Sequence, residues 1–273
     1  LKRQAFILDV ASDYLRYKSE ADDAEMGDYK ERNRAVLIER SKLSIPSEDM
    51  TIRPFTTQPD VGHRTSQFTL GGGWRNHDTF EEASFRSVYH NLLDPEPGYT
   101  PDAQLEALAV TVRHYNRAEQ TRVERATLID IVSLAPIDDL FRAPSWKANV
   151  GMQTIRRHGC ELCNNVVADG GIGVAKESYL LTREVVFAFA EAEANYSKAY
   201  DERHRIGGGA TVGVLADVTD RWKMMGSGTY RRYPFGDKSD EIRWYVGSRF
   251  TLAQNWAVRL DYQHRDRDDD IAF

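Results

Sequence analysis

RSVYHNLLDPEPGYTPDAQLEALAVTV, residues 86–112, reads as strand, reverse turn, strand. Arg86, Val88 and His90 alternate with Phe85, Ser87 and Tyr89, the period of two that a pleated strand imposes. Asp94-Pro95-Glu96-Pro97-Gly98 then breaks the run, because two prolines fix φ and remove donors while Gly98 tolerates a positive φ. After Pro101 the alternation resumes, with Leu105, Ala107, Ala109 and Thr111 opposite Gln104, Glu106 and Leu108. On this reading the turn is a rigid connection in which Gly98 is indispensable and Glu96 has no buried role.

The same unit recurs along the chain in about eleven alternating segments separated by turn signals. They cover 63–75, 79–92, 102–116, 121–135, 144–157, 166–179, 183–197, 204–217, 221–233, 240–252 and 255–265, and Ile271-Ala272-Phe273 starts a twelfth. In the seventh, Val186, Ala188, Ala190, Ala192 and Ala194 line one face. Val185, Phe187, Phe189, Glu191, Glu193 and Asn195 line the other. Val246, Val258 and Leu260 likewise oppose Arg243, Arg249, Arg259 and Asp261 in the last two segments. A soluble sandwich would alternate in the same way. Length and turns separate the two, since these segments exceed the usual soluble strand of about 5–6 residues and hold the ~9–11 that cross a bilayer with tilt. Short turns such as Arg75-Asn76-His77-Asp78 and Gln254-Asn255 suit an up-and-down meander. The glycine clusters at 71–73, 170–173 and 207–209 fall inside segments and mark bends or close approaches. The expectation is a mainly β chain: an antiparallel up-and-down β-barrel of about twelve strands, of outer-membrane type, over 61–273, its apolar faces against lipid.

Before the barrel, residues 1–60 form a helical connector and an extended linker. Ala5, Leu8, Ala11, Asp13, Leu15 and Tyr17 mark the first helix, residues 29–43 the second, and Glu31-Arg32-Asn33-Arg34 a solvated face. Ile45-Pro46, Arg53-Pro54 and the polar run 56–60 make the linker. The 273 residues carry a net charge of −6, which offers no basic field to nucleic acid. Mean hydropathy is −0.56 and no apolar run reaches the ~20 residues of a spanning helix, a test blind to β-barrels. The chain begins at Leu1 rather than Met and shows no signal peptide, as a piece of a longer polypeptide would.

Chemistry is sparse. No G-x-S-x-G, H-E-x-x-H or P-loop occurs, and no catalytic residue, metal site or cofactor is expected. Charges expected on the inner face are Arg86, Glu106, Glu124, Glu191, Glu193, Arg243, Arg249, Arg259 and Asp261, read first as a salt-bridged interior. Arg86, His90, Asp94, Glu106, Asp130, Arg243 and Arg249 are the candidate ligand-binding residues of the lumen and the turn. His90 and Asp94 could also act as an acid–base pair, although a histidine beside an Asp-Pro turn is ordinarily structural. Cys160 and Cys163, in the expected connection between the fifth and sixth segments, read as a loop disulfide or two free thiols; a zinc site would need His158 and a fourth ligand.

Three stretches, GHRTSQFTLGGG (62–73), RSVYHNLLDPEPGY (86–99) and LIDIVSLAPIDDLFRAPSW (128–146), resemble the C-terminal part of a family of Gram-negative envelope proteins. The family's N-terminal half is similar to the periplasmic, papain-like domain of the Lnb-type lipoprotein N-acyltransferases. The resemblance covers most of this chain, with residues 1–45 as the connector between halves. It implies an outer-membrane barrel with its connector in the periplasm, anchoring or positioning the upstream domain. Any catalytic centre would lie upstream of Leu1, since the Lnb-type cysteine and histidine have no matching motif here. The implied partners are outer-membrane lipid, the upstream domain, and a lipoprotein or lipid substrate. The implied compartment is oxidising, which favours the Cys160–Cys163 disulfide. An alternative is a periplasmic barrel that binds a lipid, acyl chain or glycan, or lends lumen residues to acyl transfer.

Overall fold

The computed structural model describes residues 1–21, 26–47, 62–138, 142–157, 159–266 and 268–273. The expected linker beyond residue 47 and the turn residue His158 lie outside them. Two compact units result, Leu1–Thr56 and Thr57–Phe273. In the first, α1 (Lys2–Ala21) and α2 (Met26–Ser41) pair as an antiparallel hairpin. Ser12 donates to Asn33 at 2.7 Å, and Arg40 is bound to Asp9 at 2.8 Å. Ala5, Leu8, Ser12 and Leu15 form the less exposed stripe, at helical spacing. Asp13 and Tyr17, assigned to that stripe from the sequence, are instead exposed. Among the described residues no helix is long and apolar enough to cross a membrane, which says nothing of strands.

The second unit is a closed antiparallel barrel of twelve strands in sequential order. The strands are β1 (Gln67–Arg75), β2 (Asp78–His90), β3 (Ala103–Tyr115), β4 (Gln120–Ser133), β5 (Ser145–Arg157) and β6 (Cys160–Ser178). The second half comprises β7 (Arg183–Tyr196), β8 (His204–Thr219), β9 (Trp222–Gly236), β10 (Ser239–Ala253), β11 (Trp256–Arg265) and β12 (Asp268–Ala272). Closure falls to β1 and β12, through Gly73↔Ala272, Trp74↔Ile271 and Arg75↔Asp270. Backbone bonds between Gly72 and Phe273, at 3.1 and 2.9 Å, continue that seam.

Strand direction defines two ends. The near end carries the lead-in residues 62–66, the connection 91–102, residues 134–138 and 142–144, and the turns after β6, β8 and β10. The far end carries the turns after the odd-numbered strands and after none of the even ones.

The alternation read from the sequence holds along β7. Val185, Phe187, Phe189, Glu191, Glu193 and Asn195 are buried inside, while Val186, Ala190, Ala192 and Ala194 face out. Val246, Val258 and Leu260 are also outside. Two readings need correction. In β3 the phase flips at Leu108, which takes φ 51° and drops out of the pairings with both neighbours. Leu105 is therefore exposed while Ala109 is buried beside the inward Glu106, so the face drawn through Leu105, Ala107, Ala109 and Thr111 is not one face. A distortion of this kind re-aims side chains without any change of composition. The second correction concerns β6, which starts at Cys160 rather than at residue 166. Cys160 and Cys163 lie in the strand, opposite Arg157 and Ile155, and are bonded to each other.

The triple glycine of β1 has a role at the seam. A Cβ built on Gly73 would land on the carbonyl oxygen of Ile271. Gly73→Val is thus expected to keep β1 and β12 apart and to abolish the compact, heat-modifiable species that closed barrels show on electrophoresis. A normal amount of that species in the variant would show that the close approach is dispensable.

Candidate functional site

The connection 91–102 folds back into the near end of the barrel and plugs it. Local chemistry sets its path. The backbone N–H of Asn91 donates to Asp94 Oδ2 at 2.8 Å, and that of Leu93 to Asn91 Oδ1 at 3.1 Å. This is the side-chain-closed turn that Asn and Asp favour. Glu96-Pro97-Gly98-Tyr99 follows as a second turn, closed by Tyr99 N–H to the Glu96 carbonyl at 2.8 Å. Proline in its second place and Gly98 at φ 84° in its third give the type II pattern.

Leu92 and Leu93 enter a buried cluster with Leu134, Ala175, Val185, Phe187, Phe189 and Leu215, so the plug carries its own apolar core. The second near-end connection joins it, since Pro136 bridges to Ala175 on the inner wall. Burial of one leucine stabilises by about 1.5–3 kcal/mol. Charges tie down the plug's other side. Asp94 pairs with Arg249, Glu96 accepts from Lys223 at 2.9 Å, and Arg183 binds Asp102 at 2.5 Å and Asp217 at 2.8 Å. Glu96, read as silent from the sequence, is therefore a bridge between plug and wall.

His63 in the lead-in segment reaches the same place. Its Nε2 is 3.1 Å from Nδ1 of His90, and the Tyr99 ring stacks on both imidazoles with centroids 4.4 and 4.2 Å away. The Tyr99 hydroxyl donates to the His63 carbonyl at 2.6 Å. Burial, with the Arg249 charge in the same direction, holds His63 below the ordinary imidazole pKa; its hydrogen bond to the Arg64 carbonyl pulls the other way. Burial alone pushes the Tyr99 hydroxyl up.

Deeper in the lumen, charged side chains of strands one to three places apart neutralise one another. Glu193 takes Arg231, Arg243 and the Tyr233 hydroxyl, and Glu191 takes Arg231 and Lys147. Arg205 and Arg243 share Glu241. Towards the far end, Arg75 binds Glu124 at 2.7 Å and also Asp268, and Arg113 binds Glu82 and Asp270. A cavity of about 340 Å³ remains in mid-lumen, lined by groups such as Arg125, Asp130, Lys147, Asp169, Phe187 and Phe189. A second, of about 690 Å³, opens at the far end beside Arg157, Tyr200, Arg205 and Arg265.

The sequence candidates thus disperse. His90, Asp94 and Arg249 meet at the plug. Arg86 pairs with Glu106 at 3.4 Å on the neighbouring wall, Asp130 pairs with Arg125 at 3.1 Å, and Arg243 belongs to the Glu193 and Glu241 network. His63, Tyr99, Glu96, Arg183 and Lys223 were missed. Histidine, tyrosine and proline packed into 86–99 signal a shaped loop, but no spacing rule links it to His63.

Leu93→Ala is expected to cost about 2–5 kcal/mol of barrel stability by leaving a cavity in the plug. Glu193→Gln should cost about 3–5 kcal/mol, because two buried guanidinium groups lose their shared counter-charge. Urea unfolding in detergent micelles reads both, and losses under 1 kcal/mol would mean that the near end and the lumen pack loosely.

Two family models match the chain. Residues 56–272 match DUF7840, described as a domain of unknown function, and residues 1–52 match DUF7842, described in the same words. No curated protein matches. Among solved structures the chain is similar to OmpTΔL8, a loop-deletion mutant of OmpT, an outer membrane protein of Vibrio cholerae. The TM-score is 0.24 and the identity 9%, over 77% of this chain and 98% of that one. The chain belongs to the DUF7840 family.

Proposed function

We propose that this DUF7840 chain is a non-conducting outer-membrane barrel that anchors and positions a periplasmic domain, with α1 and α2 as the periplasmic connector. One observation carries the membrane part: between the strand ends the outer wall carries a belt of exposed aliphatic side chains, while Glu191, Glu193, Arg231 and Arg243 are turned into the lumen. Leu70, Leu128, Val150, Ile172, Val174, Val212, Val246, Val258 and Leu260 are exposed on the wall. Exposed aromatic side chains flank them towards both ends, Phe68, Trp146, Tyr179, Trp222, Phe250 and Trp256 at the near end and Trp74, Tyr196 and Phe235 at the far end. An aliphatic belt between aromatic girdles is the surface that lipid selects. Strands of about 14 residues, rising about 3.3 Å each and tilted by about 40°, give a wall of roughly 35 Å, enough for a bilayer. The plug and the ion-paired lumen argue for an anchor rather than a pore.

The upstream partner, an Lnb-type acyltransferase-like domain, rests on the sequence resemblance at 62–73, 86–99 and 128–146. The barrel then serves lipoprotein or lipid chemistry by holding that domain at the membrane. Binding of an acyl chain in the lumen is the weaker reading, because the mid-lumen cavity is lined by Arg125, Asp130, Lys147 and Asp169. Such a lining suits a polar ligand such as a glycan better.

Placing Arg at Ala190 on the outer wall should cost about 2–4 kcal/mol if the site lies near the bilayer midplane. The unsubstituted chain should fractionate with the outer membrane and give no steady conductance in a planar bilayer. Recovery of the assembled chain from the soluble periplasm would overturn the membrane reading, and an ohmic open channel would overturn the anchor.

A further inference from the structure

Two imidazoles and a carboxylate converge at the near end from three separate pieces of chain. His63 comes from the lead-in segment, His90 from the last position of β2, and Asp94 from the plug. One ligating atom of each lies within 4.8 Å of the other two. Nε2 of His63 is 3.1 Å from Nδ1 of His90 and 3.7 Å from Oδ2 of Asp94. Tetrahedral zinc, with bonds of about 2.0–2.1 Å to nitrogen and oxygen, sets neighbouring ligand atoms about 3.3 Å apart. The two spacings from His63 bracket that edge, and the ligand atoms of His90 and Asp94 lie within 4.8 Å of each other.

The outer contacts orient these atoms inward. Nδ1 of His63 lies 2.8 Å from the Arg64 carbonyl, and a carbonyl can only accept. Nδ1 therefore carries the proton, and Nε2 turns its lone pair towards His90 and Asp94. Oδ2 of Asp94 is an acceptor as well, so no hydrogen bond can join it to Nε2 of a neutral His63. A cation can. Arg249 holds the other oxygen of Asp94, the Asn91 N–H holds Oδ2, and Tyr99 stacks on both rings. A histidine whose second ring nitrogen donates to a carbonyl, beside a carboxylate fixed by its own partners, is the usual outer arrangement of a metal ligand set.

We propose that His63, His90 and Asp94 bind a first-row divalent cation, zinc foremost, which clamps the plug to the segment leading into β1. Two imidazoles with one carboxylate select zinc and its neighbours over calcium or magnesium, which take oxygen ligands. Three protein ligands leave a fourth position for water. The site lies outside the lipid-facing wall and does not depend on the anchor reading.

The test uses the full 273-residue chain folded in detergent micelles, stripped with a chelator, equilibrated with zinc chloride and dialysed, followed by elemental analysis. One zinc per chain is expected, and cobalt in its place should show the intense visible absorption of tetrahedral coordination. His63→Gln and His90→Gln should each lose stoichiometric binding. His264→Ala should keep it, because that ring is bound to Asp269 at the far end, 2.7 Å away. A wild-type barrel without zinc overturns the proposal even if a variant fails to assemble. So does zinc retained by a His63→Gln/His90→Gln double variant, or lost on His264→Ala.

Discussion

Three residue pairs between β1 and β12 convert an open meander into a barrel, and the rest of the molecule follows from that closure. Away from water, a strand edge would leave a row of backbone donors and acceptors unpaired, at several kcal/mol each, so only a closed sheet can live in hydrocarbon. The join is short because β12 has five residues, and a buried charge pair strengthens it: Arg75 of β1 binds Asp268 of β12 as well as Glu124 of β4. Gly73 lets the two backbones approach at that point.

Closure also creates an inside, and twelve strands enclose more volume than apolar side chains alone fill here. The chain fills it in two ways. Through most of the lumen, arginines and carboxylates of strands two or three apart pair, as Glu193 of β7 does with Arg231 of β9 and Arg243 of β10. Each such group costs several kcal/mol to take out of water, and the cost is offset only because partners and hydrogen bonds meet it. At the near end one side of the filling is apolar, with Leu92 and Leu93 pressed on Val185, Phe187 and Phe189, and the other is ion-paired through Asp94, Glu96 and Asp102. The change from Glu191 and Glu193 to Phe187 and Phe189 along one face of β7 marks the level at which charged lumen gives way to plug. That single strand records both environments.

The plug gives the near end its chemistry. It brings Asp94 under His63 and His90, and it buries these groups beside Arg249 and Tyr99 in a volume shielded from bulk water. An electrostatic interaction there is less screened than on an exposed surface. The far end has charged groups in plenty, and Arg157 pairs there with Asp237 and Arg205 with Glu241 beside the larger cavity.

The sequence by itself determined the barrel: the period-two pattern of β7, β10 and β11 names the outward and inward residues one by one, because a strand gives its side chains only two directions. Turn chemistry was equally local, and Gly98 adopts the positive φ that its place after Pro97 requires. Tertiary structure decided the rest. Leu108 changes face through a backbone distortion that leaves no mark in composition, so the run after Leu105 misled. From its prolines and glycine the connection 91–102 reads as a rigid reverse turn in which Glu96 has no buried role. Its leucines and Glu96 turn inward only once Phe187, Lys223 and Arg183 stand behind it. His63 meets His90 and Asp94 for the same reason: 27 residues separate the two histidines, and closing the first hairpin and folding the plug inward are what set one ring against the other.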